Sequence, residues 1–220
     1  MTQKTSPEMP LAAFLKSQEI PLSQWDLLLF GDGSGLDWKG AGGYSAFLVD
    51  RRLHARAVVI GGRSHSTVNR MELTAYTEAL SYHYYKLLSE SVKDPPYRVW
   101  VFSDSEYTIK CGSREYGRKA NLDLWTVVDW YETRGYRIRW RWVPRNSNPL
   151  HAKADQLSGN ARKALKPILV PDQELFQLLP DAGDTLEEVK VKVIKCAHCQ
   201  APRLPSEATC PQCGLSTTTM

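Results

Sequence analysis

The chain lacks any long apolar run: nothing in its 220 residues approaches the roughly 18 consecutive apolar residues of a membrane span. The first 25 residues, MTQKTSPEMPLAAFLKSQEIPLSQW, also lack the charged-then-apolar order of a secretory signal, so the expectation is a cytoplasmic protein with no membrane partner. Charge of one sign is missing too. The 28 Lys+Arg against 24 Asp+Glu leave a formal net charge of +4, a mild excess that permits a polyanionic partner without requiring one. Cysteine is scarce. Four of the five cysteines fall between positions 196 and 213, and Cys111 stands alone. That distribution excludes a disulfide framework spread through the fold and reads instead as one metal site, with Cys111 an inert packing residue. No internal repeat is visible. The length fits one ordinary domain with its own core plus a small appendage, and excludes two large domains.

What is present begins with residues 1–24, where Pro7, Pro10 and Pro21 surround a brief apolar stretch (Leu11 to Leu15). They read as a mobile arm or a short docking helix. Residues 25–165 carry the main domain. The run at 25–30 (WDLLLF) is apolar except for Asp26 and breaks at Gly31-Asp32-Gly33-Ser34-Gly35, which predicts a strand covered on both faces and ending in a tight turn. Residues 43–50 (GYSAFLVD) and 53–60 (LHARAVVI) fit an antiparallel meander closed by Gly61-Gly62. Leu73, Tyr76, Leu80, Tyr84 and Leu87 recur every three or four residues and predict a helix over 69–90, ended by Asp94-Pro95-Pro96. A second short buried strand at 98–103 (RVWVFS) also stops at an aspartate, Asp104. A helix through Leu122, Leu124, Val127, Val128 and Tyr131, a half-buried strand at 136–143, and a helix opened by Asn148-Pro149 complete the order. The expectation is an α/β domain with a mixed five-stranded sheet flanked by helices. Residues 166–190 read as a linker, and 191–220 as a small cysteine module and tail.

In such sheets ligands gather beyond the carboxyl ends of the strands, so Asp32 and Asp104 are expected to share a crevice. Glu72, in the first turn of the helix after the meander, and Asp155, about two turns into the last helix, are placed to join them. Converging carboxylates raise one another's pKa and become favourable when divalent cations bind. A ligand set made only of oxygens suits hard cations, Mg²⁺ or Mn²⁺.

These residues carry a family resemblance. FGDGSG at 30–35, NRMEL at 69–73, FSDSEY at 102–107 and the aspartate of AKADQLS at 152–158 resemble type I ribonuclease H over residues 25 to about 165. The resemblance implies four metal-binding acids at Asp32, Glu72, Asp104 and Asp155, and two-metal hydrolysis of the RNA strand of RNA/DNA hybrids, with Asp32 shared between the ions. It also implies that Gly33, Ser34, Asn69, Arg70 and Ser105 contact the substrate and read its 2′-hydroxyls, and that Thr67 meets a phosphate, although a threonine before a helix is also an ordinary cap. Val68 and Glu106 depart from the family's familiar asparagine and glutamine. The basic protrusion is abbreviated to 111–121, leaving Arg114, Arg118 and Lys119 beside Tyr116 to contact the DNA strand or simply to form a solvated loop. Where the familiar bacterial form has a mobile histidine, this chain has Arg145, which stays protonated and can stabilise negative charge or help product leave but is a poor general base. His151, one helical turn before Asp155, is the alternative proton carrier, its blander reading being an exposed surface histidine.

Cys196, Cys199, Cys210 and Cys213 form C-x2-C-x10-C-x2-C, the spacing of a tetrahedral zinc ribbon with one structural Zn²⁺. His198 is a bystander to the four thiolates. Lys190, Lys192, Lys195 and Arg203 tilt the ribbon toward nucleic acid over protein contact or a plain folding staple. Two other classes compete with the hybrid nuclease: a noncatalytic hybrid-binding adaptor, opposed by the intact acids, and a DNA junction resolvase, opposed by the NRMEL helix.

Overall fold

The structure, a computed structural model, describes residues 11–36, 40–88 and 96–164, and the backbone of 194–195 and 202–203. Strands β1 (Leu27–Gly35), β2 (Gly42–Asp50) and β3 (Ala55–Arg63) form the antiparallel meander, while β4 (Tyr97–Ser103) and β5 (Tyr136–Trp142) join in parallel. The sheet order is β3-β2-β1-β4-β5. Helices α1 (Leu11–Ser17), α2 (Val68–Tyr82), α3 (Glu106–Gly112), α4 (Leu122–Thr133) and α5 (Pro149–Ala164) accompany it, and β6 (Ile194–Lys195) pairs antiparallel with β7 (Pro202–Arg203) in a separate two-stranded hairpin.

The two-residue period of the strands sorts the core into two layers. Leu27 and Leu29 of β1, with Val99 and Val101 of β4, face α2 and α4 through Met71, Ala75, Tyr76, Leu80 and Tyr131. Leu28 and Phe30, with Trp100 and Phe102, face α1 and α5 through Phe14, Leu15, Leu150, Ala154 and Leu157. Both faces of β1 are covered, which is why 25–30 reads as nearly unbroken apolar sequence. Asp26, the exception in that run, is buried at 2% exposure but held by Arg98 (2.7 Å) and Arg51 (3.2 Å).

Three expectations need correction. First, the glycine-rich 31–35 segment is strand rather than turn: β1 stays paired with β2 as far as Gly35↔Gly42, whereas its pairing with β4 stops at Phe30↔Phe102. Asp32 therefore lies inside β1, just where β1 outruns β4. Second, β3 sits later than expected and runs through Gly61-Gly62, because Gly43 and Gly62 of adjoining strands let α5 lie close on them; a Cβ on Gly43 would stand 2.1 Å from the Ser158 carbonyl. Third, α2 gives way at His83 to a π-helical turn, His83–Leu87. There His83 is buried between Asp50 (2.5 Å) and Tyr136 (2.7 Å).

At the start of the chain the second of the two readings, a short docking helix, is the one found: Phe14 is 1% exposed and packs edge-on to Phe30 and Phe102, with ring centroids 5.7 and 5.2 Å away, and Leu15 and Ile20 are buried in the same layer. Phe14→Ala is expected to cost about 3–5 kcal/mol of unfolding free energy, the usual loss for a buried phenylalanine. Urea titration measures it; a cost below about 1 kcal/mol would show that α1 is only loosely docked.

At the far edge of the sheet, β5 exposes Arg137, Arg139 and Arg141 on alternate positions. The last two guanidinium groups lie over the Trp100 ring, each 5.4 Å from its centroid.

Candidate active site

The site assembles where β1 passes beyond β4. Asp32, two residues after Phe30, points to the α5 side of the sheet and receives a 2.5 Å hydrogen bond from Ser158 of α5. Gly33 points the other way, onto α2. A Cβ there would stand 2.1 Å from the Glu72 backbone nitrogen and 2.6 Å from the Met71 carbonyl carbon. The missing side chain lets α2 rest directly on β1. Glu72 begins the second turn of α2 rather than lying in its first. One turn later, the Tyr76 hydroxyl sits between the strands, 2.8 Å from the Gly31 carbonyl and 2.7 Å from that of Phe102, and accepts the Gly31 N–H at 3.2 Å. This tyrosine pins β1 to β4 at the point of divergence. In the helical spacing it registers only as a core residue, and neither its role nor that of Ser158 is visible before the fold is known.

Asp104 follows directly on β4, its side chain 16% exposed. Asp155 comes from the second turn of α5, 31% exposed and ion-paired with Arg145. His151, expected on an exposed helix face, has no exposure at all. Its backbone N–H is capped by Asn148 Oδ1 at 3.0 Å, and its Nε2 lies 3.7 Å from Asp104 Oδ1.

The expected substrate contacts divide. Thr67 caps α2 by accepting the Arg70 N–H at 3.2 Å, and Ser105 caps α3 by accepting the Thr108 N–H at 3.3 Å. Arg70 is engaged by Asp123 and Asn121. Gly33 is covered by Glu72. Ser34 is half-buried and Asn69 exposed. In the 111–121 loop, Arg114 pairs with Asp129 and Glu132, while Arg118 is 9% exposed, pairs with Asp129 at 2.6 Å and lies 4.1 Å over the Trp125 ring. Acids on α4 pair with these two cations and Lys110 occupies Tyr116, so of the expected basic patch Lys119 is the exposed cation outside these pairs. Cys111 is a buried free thiol, as expected. The four clustered cysteines and His198 lie outside the described residues.

Burial, partly offset by the Ser158 hydrogen bond, and then the charges of Asp155 and Asp104 push the Asp32 carboxyl up to about 7. Glu72 is driven well above the usual carboxylate range, first by burial and then by Asp32 and Asp104. Its Oε2 is buried without a hydrogen-bond partner. An orphaned carboxylate oxygen among further acids is the donor set a hard divalent cation fits. One ligand atom each from Asp32, Asp104 and His151 lie within 4.8 Å of one another.

The charge crowding has a measurable sign. A carboxyl with a raised folded pKa adds stability that is complete below the ordinary carboxylate pKa and lost as pH rises through the folded value, here about 7. Metal-free Asp32→Asn escapes that loss. Its Tm is expected to match the wild type only near about pH 3.5, below the ordinary carboxylate pKa, and to exceed it by several degrees near about pH 8, with Mg²⁺ favouring the wild type there. A Tm difference that does not change over that range would refute the crowding.

A mixed sheet in this order, with acids from β1, α2, the end of β4 and α5 brought to one place, defines an α/β domain built around a cluster of carboxylates. The chain belongs to the RNase H family, whose model matches residues 24–163. It is 32% identical over 145 residues to a ribonuclease H of Albidiferax ferrireducens, covering 59% of this chain and 89% of that relative. Among solved structures, the N-terminal RNase H domain of a Mycobacterium tuberculosis protein, fused to maltose-binding protein, aligns with a TM-score of 0.53 at 22% identity over 64% of this chain and 96% of that one. LC11-RNase H1, solved in complex with an RNA/DNA hybrid, aligns with a TM-score of 0.51 at 21% identity over 64% and 99%. Among the described residues, no helix is long and apolar enough to cross a membrane.

Proposed function

We propose that the protein hydrolyses the RNA strand of RNA/DNA hybrids endonucleolytically, leaving 5′-phosphate and 3′-hydroxyl ends, and that Asp32, Glu72, Asp104 and Asp155 hold two Mg²⁺ or Mn²⁺ ions for the reaction. The observation that carries this is the gathering of Asp32 and Asp104, which offer ligand atoms within 4.8 Å of one another, with Asp155 close enough for its charge to raise Asp32 and with Glu72 raised by the charges of Asp32 and Asp104. Bound divalent cations supply Lewis-acid chemistry, lowering the pKa of an attacking water and neutralising charge on the leaving oxygen. The chain's own part is placement. Asp32, on which the charges of both Asp155 and Asp104 act, would hold the ions from β1. Ser158 holds it from α5, and Gly33 with Tyr76 holds Glu72 and the β1/β4 fork from α2. Arg145, paired with Asp155, brings a permanent positive charge to the mouth of the site, where it offsets phosphate charge but cannot take a proton. Ser34 and Asn69 are the candidates left free to read 2′-hydroxyls.

The discriminating experiment is incubation with labelled RNA/DNA, RNA/RNA, DNA/DNA and four-way junction substrates in Mg²⁺ or Mn²⁺. Cleavage confined to the RNA of the hybrid is expected. Binding without cleavage would mark an adaptor, and junction cleavage a resolvase.

The C-terminal cysteines extend this reading. The antiparallel β6/β7 hairpin is separated by residues 196–201, a stretch that includes Cys196 and Cys199. Such a hairpin suits one ligand pair of a structural zinc ribbon, completed by Cys210 and Cys213, at residues 191–220 beyond a linker. The purified chain should carry about one zinc. Truncation near residue 188 should leave cleavage chemistry intact while weakening hybrid affinity and flattening its salt dependence. Metal analysis and binding isotherms at two salt concentrations test both points; equal isotherms would leave the ribbon a staple.

A further inference from the structure

We propose that His151 is a nitrogen ligand of the cation site and tilts that site toward Mn²⁺ over Mg²⁺. The proposal rests on the reading of the carboxylate cluster as a metal site and adds a ligand of a different kind to it.

The imidazole is fully enclosed, yet neither Nδ1 nor Nε2 has a hydrogen-bond partner. Leaving a ring with a donor and an acceptor dry and unpaired is unfavourable, and buried groups of this kind ordinarily find partners. His151 is aimed at the acids: it lies one helical turn before Asp155, with Nε2 3.7 Å from Asp104 Oδ1. That separation is beyond hydrogen-bonding distance, so the contact with Asp104 does not satisfy the ring. It does suit two ligands of one ion. Octahedral bonds of about 2.1 Å put neighbouring ligands about 3 Å apart and opposite ones about 4.2 Å apart. The atoms offered by Asp32, Asp104 and His151 fall within 4.8 Å of one another, so side-chain shifts of roughly 0.6–0.7 Å close them around a cation.

The electrostatics agree with the geometry. Burial disfavours the protonated imidazole, against the opposing pull of Asp104 and Asp155. Arg145, across the cluster, pushes the same way as burial. A neutral imidazole favours transition-series ions, whereas Mg²⁺ is satisfied by oxygen alone. The expected consequence is selectivity between two ions that four carboxylates would hold more evenly.

Pulsed EPR on the full-length protein, loaded with substoichiometric Mn²⁺, reads the bond directly. The wild type should show ¹⁴N modulation of directly bound imidazole, and ¹⁵N-histidine labelling should change its frequency without any substitution. His151→Phe, which keeps the buried volume, should lose the signal, and its preference for Mn²⁺ over Mg²⁺ in calorimetric titrations should fall by about tenfold or more. Mn²⁺ bound by the wild type without nitrogen modulation, or with modulation that persists in folded His151→Phe, would overturn the ligand assignment while sparing the carboxylate site. Mn²⁺ binding unchanged in Asp32→Asn would instead overturn the carboxylate site itself, and this proposal with it.

Discussion

Asp32→Asn is expected to lower hybrid-cleavage turnover by at least about a thousandfold, since it removes charge stabilisation at the centre of the reaction. The loss should appear without a loss of fold. Asparagine keeps the shape of the side chain and can still meet the Ser158 hydroxyl, while the burial and repulsion that push the aspartate up to about 7 disappear. The variant therefore separates two properties that mutations usually damage together: the metal-free protein gains stability and the enzyme loses its reaction. Single-turnover rates on a labelled hybrid, measured alongside circular dichroism, provide the check. Turnover within a few-fold of the wild type would remove Asp32 from the site.

Gly33→Ala is the second large effect, and it works through backbone. The added methyl would meet the Glu72 nitrogen at 2.1 Å and the Glu72 Cα at 2.7 Å, so α2 must lift from β1 instead of a side chain turning aside. Overpacking of this kind costs about 1–3 kcal/mol even where neighbours can adjust, and here the neighbour is main chain. We expect a loss of about 3 kcal/mol or more, near 10 °C in Tm for a chain of this size. Glu72 should be displaced as well, so the folded fraction should have lost hybrid cleavage. Gly159→Ala in α5 is the control, because nothing lies within 4 Å of its added methyl and helix propensity favours alanine. Equal melting temperatures for the two variants would show that the α2/β1 contact is not tight.

What was legible in the sequence follows from how local each signal is. The strand at 98–103 and the helices around Leu73 and Leu150 repeat their apolar positions within a few residues, so period alone locates them. The four acids are recognisable from their order and neighbouring motifs. The 31–35 segment misleads because its glycines carry the signal of a turn, whereas in the fold they remove side chains from the face of a strand on which α2 rests closely. The partners of Arg114 and Arg118, Asp129 and Glu132, lie 11 to 18 residues away on α4, beyond the reach of local pattern. His151 sits in LHAKAD, a polar stretch that suits an exposed helix face, and only the packing of α5 over β1 and β2 encloses it. Phe14 likewise looks like part of a tail until Phe30 and Phe102 are seen to need a cover.

The arginines of β5 bear on a different hazard. Among the described residues no strand pairs with the outer side of β5, so its free N–H and C=O groups form a template on which another chain could extend the sheet. Arg137, Arg139 and Arg141 make that growth unfavourable, since a second copy arriving edge to edge would bring its own guanidinium row against this one. The cations stacked over Trp100 also shade an aromatic surface that would otherwise be sticky. Part of the chain's modest positive charge thus serves to keep neighbouring molecules apart in a crowded solution, a colloidal task separate from any grip on nucleic acid.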